Sequence, residues 1–133
     1  MQLPNSLRGS EPLARYLTQS NHFNLPTYSV KPRAFDPPPD LRLSVFRIDG
    51  LGTEDIWKCG QINVTNMMPE PRHIYGIANI RVSEVQAASL SVDPDNNPER
   101  HASIVGWPED KSERKLLTQE LALKAKLLLK NPK

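Results

Sequence analysis

The sequence predicts an α+β fold: a small mixed or antiparallel sheet of about four strands with short helices, a long amphipathic C-terminal helix, and an extended proline-rich arm in front. Three observations carry this expectation. Short apolar or alternating runs such as LRLSVFRID, IYGIANIRV and HASIVGW recur between residues 41 and 107. A capping motif at Asp110 opens a leucine-rich stripe of helical period. Seven of the 13 prolines fall in the first 39 residues, where a fixed φ and a missing amide work against both ladders and helices.

Each element follows in order. Residues 1–40 read as an arm with one short helix over Ser10–Leu17, with Ser10 as its cap and Leu13, Tyr16 and Leu17 on one face. The rest of the arm, NHFNLPTYSVKPRAFDPPPD, scatters apolar residues among prolines and reads as extended. Residues 41–133 read as a single α+β domain. A strand from Leu41 leads into a short helix capped by Thr53, with Glu54 and Asp55 at its positive end and Gly60 as its left-handed stop. QINVTNMMPEPR reads as a loop, IYGIANIRV as a strand, SEVQAASL as a helix capped by Ser83, and SVD as a brief strand. HASIVGW is the next strand, ended by Pro108, and Asp110 with Glu113 caps a helix reaching about Lys130. Leu117, Leu121, Ala125 and Leu128 form its stripe, flanked by Leu116, Leu123 and Leu127.

The core from about Leu41 to Leu128 resembles small uncharacterised bacterial proteins that share an SVFRIDGL-like strand and an HAxIxGWP-like strand. The resemblance implies that these segments belong to one domain. It implies no activity.

Composition narrows the function classes. A net charge of +2 argues against a chain dominated by electrostatic attachment to nucleic acid. The single cysteine, Cys59, excludes an internal disulfide and a multi-cysteine metal site. His22, His73 and His101 lack the spacing that sets two ligands on one helix face, and Asp93-x-Asp95-x-Asn97 lacks the glycine and glutamate that complete a calcium loop. Neither a metal nor another cofactor is expected. Gly50-Leu-Gly52-Thr53 lacks the phosphate-loop lysine. No apolar run approaches the ~20 residues that span a bilayer, so no membrane partner is expected and a cytoplasmic location is the default.

Three functional readings follow. In the first, the chain is a non-catalytic protein-binding module, an accessory subunit, regulator or inhibitor docked on a larger protein or forming a homo-oligomer. Its contact residues would be Leu25, Tyr28, Val30 and Phe35 in the arm, with Leu123 and Leu127 on the last helix. In the second, it is a small enzyme acting on a nucleotide or nucleic acid. There His101 is the acid or base, near Asp93, Asp95 and Glu99 in sequence, and Arg47, Arg81 and Arg100 clamp an anion. The bland alternative makes His101 the first residue of a strand and pairs Arg47 with Asp49 or Glu54. In the third, Lys111, Arg114, Lys115, Lys124, Lys126, Lys130 and Lys133 of the last helix bind nucleic acid. The sequence favours the first reading, since no serine sits in a recognisable nucleophile motif.

Overall fold

The computed structural model describes residues 6–65 and 73–130. Among the described residues there are eight strands: β1 (Pro12–Leu17), β2 (Phe23–Asn24), β3 (Ser29–Val30), β4 (Leu43–Arg47), β5 (Gly76–Arg81), β6 (Ser91–Asp93), β7 (His101–Val105) and β8 (Lys126–Leu129). The same residues include three α-helices: α1 (Thr53–Asn63), α2 (Val82–Ala87) and α3 (Lys111–Lys124). Six strands form one antiparallel sheet in the order β6-β7-β4-β1-β5-β8, and β2 and β3 form a separate short hairpin.

The expected mixture of helix and sheet is present, but the sheet has six strands rather than four. The largest difference is at the N-terminus. The segment read as a helix in a detached arm is β1, which lies inside the sheet between β4 and β5. Residues 13 and 17 share a side in both conformations, four residues apart on a helix and an even number apart on a strand. The spacing therefore could not separate them. Tertiary pairing decides, because both faces of β1 are covered. Leu13 and Leu17 are buried in one apolar cluster, and Ala14 and Tyr16 in the other.

The larger cluster packs Leu43, Val45, Ile80, Ala102 and Ile104 of the sheet against Val82 and Val85 of α2 and Leu121 and Ala122 of α3. Phe35 and Val30, expected on a partner, are buried in this same cluster. The smaller cluster joins Phe46, Ile48 and Ile77 to Ile56 of α1 and to Ile74. The segment 18–40 is thus laid partly on its own sheet, where its aromatic and branched side chains gain more than a solvated arm would give.

Several boundaries also move. Leu41 has φ 57°, so β4 begins two residues after it. Gly52 rather than Thr53 is the cap of α1, and Gly60 lies within the helix. A Cβ at Gly60 would stand 2.5 Å from the Tyr16 ring, so the missing side chain serves packing, not a helix stop. The expected loop 61–72 begins as the last turn of α1, and its residues 66–72 lie outside the described ones. Arg81, not Ser83, precedes α2 as its cap. Asp110 does cap α3, accepting from the amides of Ser112 and Glu113 at 2.7 and 3.2 Å. That helix stops at Lys124, and Lys126–Leu129 turns into β8 to pair with β5. The LLL run satisfies either pattern locally, and the open edge of β5 offers its backbone a ladder.

One ion pair lies at the junction of these elements. Arg47, at the end of β4, is only 2% exposed and meets Glu11, the residue before β1, at 4%. Nε donates to Oε1 at 2.6 Å and Nη2 to Oε2 at 3.2 Å. The expected pairing of Arg47 with Asp49 or Glu54 is replaced by this buried one, and Asp49 pairs with Arg8 at 2.7 Å. Removing one partner of a buried pair leaves an uncompensated charge and costs about 3–5 kcal/mol. Glu11→Ala is accordingly expected to lower the urea midpoint with little change in slope. An unchanged midpoint would show that the pair contributes nothing net.

Candidate functional site

The antiparallel pairing of β4 with β7 sets Ser44 opposite Ser103 and Phe46 opposite His101. Ser44 and His101 therefore share a face and lie diagonally across the ladder. His101 Nε2 is 3.0 Å from Ser44 Oγ, and Nδ1 is 2.7 Å from Asp95 Oδ1. An ionised carboxylate can only accept, so Nδ1–H donates to Asp95; in the neutral ring this leaves Nε2 to accept from the serine hydroxyl. The imidazole side chain is 15% exposed and packs edge-on against Phe46 at 5.3 Å. His101 does begin a strand, and it also links an acid to a hydroxyl.

The loop between β6 and β7 holds Asp95 in place. The Asn96 amide donates to His101 O at 2.8 Å, and the His101 amide donates to Pro98 O at 2.9 Å. Asn96 Oδ1 accepts from Arg47 Nη1 at 3.3 Å, tying the loop to the buried ion pair. Burial raises the Asp95 pKa, but hydrogen bonds from His101 and the Asn97 amide, with the charges of His101 and Arg42, outweigh it and leave the carboxyl below its ordinary value.

A cavity of about 340 Å³ opens beside this array. Ser44, Phe46 and His101 line it from the sheet, Asn63 and Val64 from the end of α1, and Arg15, Tyr16 and Thr18 from β1 and its exit. The ladder between β1 and β4 ends at Ala14 opposite Phe46. Beyond that point the Arg15 guanidinium fills the gap, with Nε donating to Ala34 O at 2.9 Å and Nη1 to Ser44 O at 3.0 Å. Desolvation by burial pushes its pKa down to about 10, which still leaves it cationic at neutral pH. Tyr16 donates to Ile56 O at 2.7 Å, and burial pushes its phenol well above the ordinary range.

The three arginines expected to clamp an anion at His101 do not gather there. Arg47 is engaged with Glu11, and Arg100 gives Nη1 to the carbonyls of Arg47 and Asp49. Arg81 lines a different cleft with Glu84, Lys124 and Lys126. The cations expected on the last helix are likewise divided, since Lys111, Arg114 and Lys115 line a cleft with Arg33 and Asp36, away from Lys124 and Lys126, and Lys133 lies outside the described residues. Among the described residues no group of three His, Cys, Asp or Glu side chains is placed to hold a metal ion. No described helix is long and apolar enough to cross a membrane.

The six expected contact residues separate into three places. Tyr28, Val30, Leu123 and Leu127 line one cleft of about 650 Å³, with Leu123 88% exposed. Leu25 lines a neighbouring cleft of about 630 Å³ with Phe23, Lys31 and Tyr75. Phe35 is fully buried. Sequence reasoning missed Ser44 and Arg15. Ser44 carries no motif, and Arg15 lay in a segment read as helix. Asp95 stood out only as one of several carboxylates near His101.

Comparison of the chain with protein-family models, curated proteins and solved structures gave no match.

The depressed Asp95 pKa has a sign that can be checked. A carboxyl whose folded pKa lies below its unfolded value adds stability above the unfolded value, about pH 4, and loses it as pH falls through the folded one. The stability difference between the native chain and Asp95→Asn is thus expected to shrink as pH falls below about 4. A pH-independent difference would count against the Asp95–His101 pairing.

Proposed function

We propose that the protein is a small hydrolase in which Ser44 is the nucleophile, His101 the general base and Asp95 the residue that orients His101. The observation that carries this reading is the continuous Asp95–His101–Ser44 hydrogen-bond array at the edge of a cavity. A serine hydroxyl is a weak nucleophile until a base within hydrogen-bond reach takes its proton, and a carboxylate on the far nitrogen fixes the useful tautomer.

The backbone supports the same reading. The Arg47 amide donates to Arg100 O across the β4–β7 ladder, so by alternation the amide and carbonyl of Ser44 turn toward β1. The Ser44 carbonyl is taken by Arg15, and its amide faces the gap where the β1 ladder has ended. That amide is the natural donor to an oxyanion formed on an acyl carbon attacked by Ser44 Oγ. In the reaction, His101 Nε2 takes the hydroxyl proton as the Oγ–C bond forms. It returns that proton to the leaving oxygen as the scissile C–O bond breaks, and water releases the acyl group by the reverse sequence.

A fluorophosphonate probe is expected to modify Ser44 in the folded native chain, located by peptide mass spectrometry. Ser44→Ala should abolish labelling, and His101→Ala should slow it roughly 100-fold or more. A native chain that is not labelled at Ser44 sinks the proposal.

A second reading, the protein-binding module, is favoured by a separate observation. Four of its expected contact residues converge on one cleft beside α3. Its original support from a detached arm is weaker, because β1 is inside the sheet and Phe35 is in the core. If the cleft docks a larger protein or another copy, Leu123→Glu should eliminate a stoichiometric complex seen with the native chain by light scattering of affinity-purified material. The melting temperature should stay within about a degree or two, since Leu123 is mostly solvated. A complex that survives the substitution, or a native chain that purifies alone, removes this reading.

A further inference from the structure

We infer that Arg15 is the anion-binding residue of the Ser44 cavity and that the ligand held there carries a carboxylate. As a statement about substrate it rests on the hydrolase reading above; as a statement about binding it stands on Arg15 alone.

The argument begins with charge pairing. Three arginines of the described chain have carboxylate partners: Arg47 with Glu11, Arg8 with Asp49 and Arg42 with Asp93. The last two pairs are at the surface, where pairing is worth little. Arg15 is partly buried where β1 parts from β4, yet among the described residues it makes no ion pair with a carboxylate. Its two hydrogen-bond partners, Ala34 O and Ser44 O, are neutral carbonyls. Desolvating a cation without a counter-charge is unfavourable, and burial is the cause of its lowered pKa. The fold supplies Arg47 with a full bidentate acid and leaves Arg15 with backbone dipoles, although both sit on neighbouring strands.

Donor capacity points the same way. A guanidinium has five N–H donors in a planar fork, and the two bonds of Arg15 leave the others for a ligand. The cavity that Arg15 lines is also lined by Ser44 and His101, and its Nη1 is bonded to the carbonyl of the serine itself. An anion on Arg15 would therefore sit beside the hydroxyl. One uncompensated cation balances one negative charge, which matches a carboxylate better than a phosphate dianion.

The test is direct binding. Butyrate, a monocarboxylate, added at constant ionic strength against chloride, is expected to raise the melting temperature of the native chain saturably. Ser44→Ala should show the same rise, and Arg15→Met should show none. Phosphate should give a smaller rise than butyrate. Because Arg15 also bonds two strands and its replacement could unfold the chain, a second measurement uses the native protein alone. Butyrate should shift the amide resonances of residues 15, 44 and 101 in a ¹⁵N correlation spectrum. No saturable rise, an equal rise in folded Arg15→Met, or resonance shifts confined to other regions overturns the proposal, as does a greater response to phosphate. Fluorophosphonate labelling of Ser44 without butyrate binding would leave the hydrolase reading standing and this one refuted. Butyrate binding through Arg15 without labelling would do the reverse.

Discussion

The buried pair between Arg47 and Glu11 is the constraint around which the rest of the structure is arranged. A guanidinium that is 2% exposed must find an anion and further acceptors close by. Arg47 takes its anion from the residue before β1, an amide oxygen from Asn96 in the loop before β7, and the carbonyl of Ser6 at 3.4 Å. Those three partners come from the N-terminal segment and from a loop 49 residues after Arg47 in the chain. Satisfying one charge thereby fixes the entry of β1 into the centre of the sheet and the path of the β6–β7 loop.

The candidate site follows from that arrangement. Asn96, held by Arg47, is adjacent to Asp95, and the same loop returns to the sheet through the Asn96–His101 and His101–Pro98 backbone bonds. Asp95 is thus presented to the ring of the first residue of β7, while the ladder to β4 presents Ser44 to the other ring nitrogen. On the opposite side β1 leaves the ladder after Ala14, and the opening is filled by Arg15 rather than by an apolar side chain. The two arginines therefore serve opposite ends: one closes the sheet with its acid, the other stands where the sheet opens.

Much of the domain could be read directly. The strands over Gly76–Arg81, Ser91–Asp93 and His101–Val105 lie where their apolar patterns put them, and Asp110 caps α3 as its motif required. Local chemistry was sufficient because each signal acts over a few residues: a cap, a turn, an alternation. The errors fall where two periods coincide or where a partner decides. Leu13 and Leu17 fit a helix face and a strand face equally well, and the leucines after Lys124 fit a stripe or an edge strand. The site was half legible. His101 was visible by residue type, and Asp95 lay six residues before it. Ser44 and Arg15 carry no local mark, since their relevance lies in what stands across the ladder from them.

The sequence by itself determined an α+β chain with its central strands, its capped last helix and a histidine at a strand start, because propensity, capping and periodicity are short-range. Only the tertiary structure decided that residues 12–17 are the heart of the sheet and that Glu11 answers Arg47. It also decided that Ser44 and Arg15 line one cavity with His101, and that Asp95 meets the far nitrogen of that ring. Those are long-range matters of register and of burying charge in company, and no window of neighbouring residues contains them.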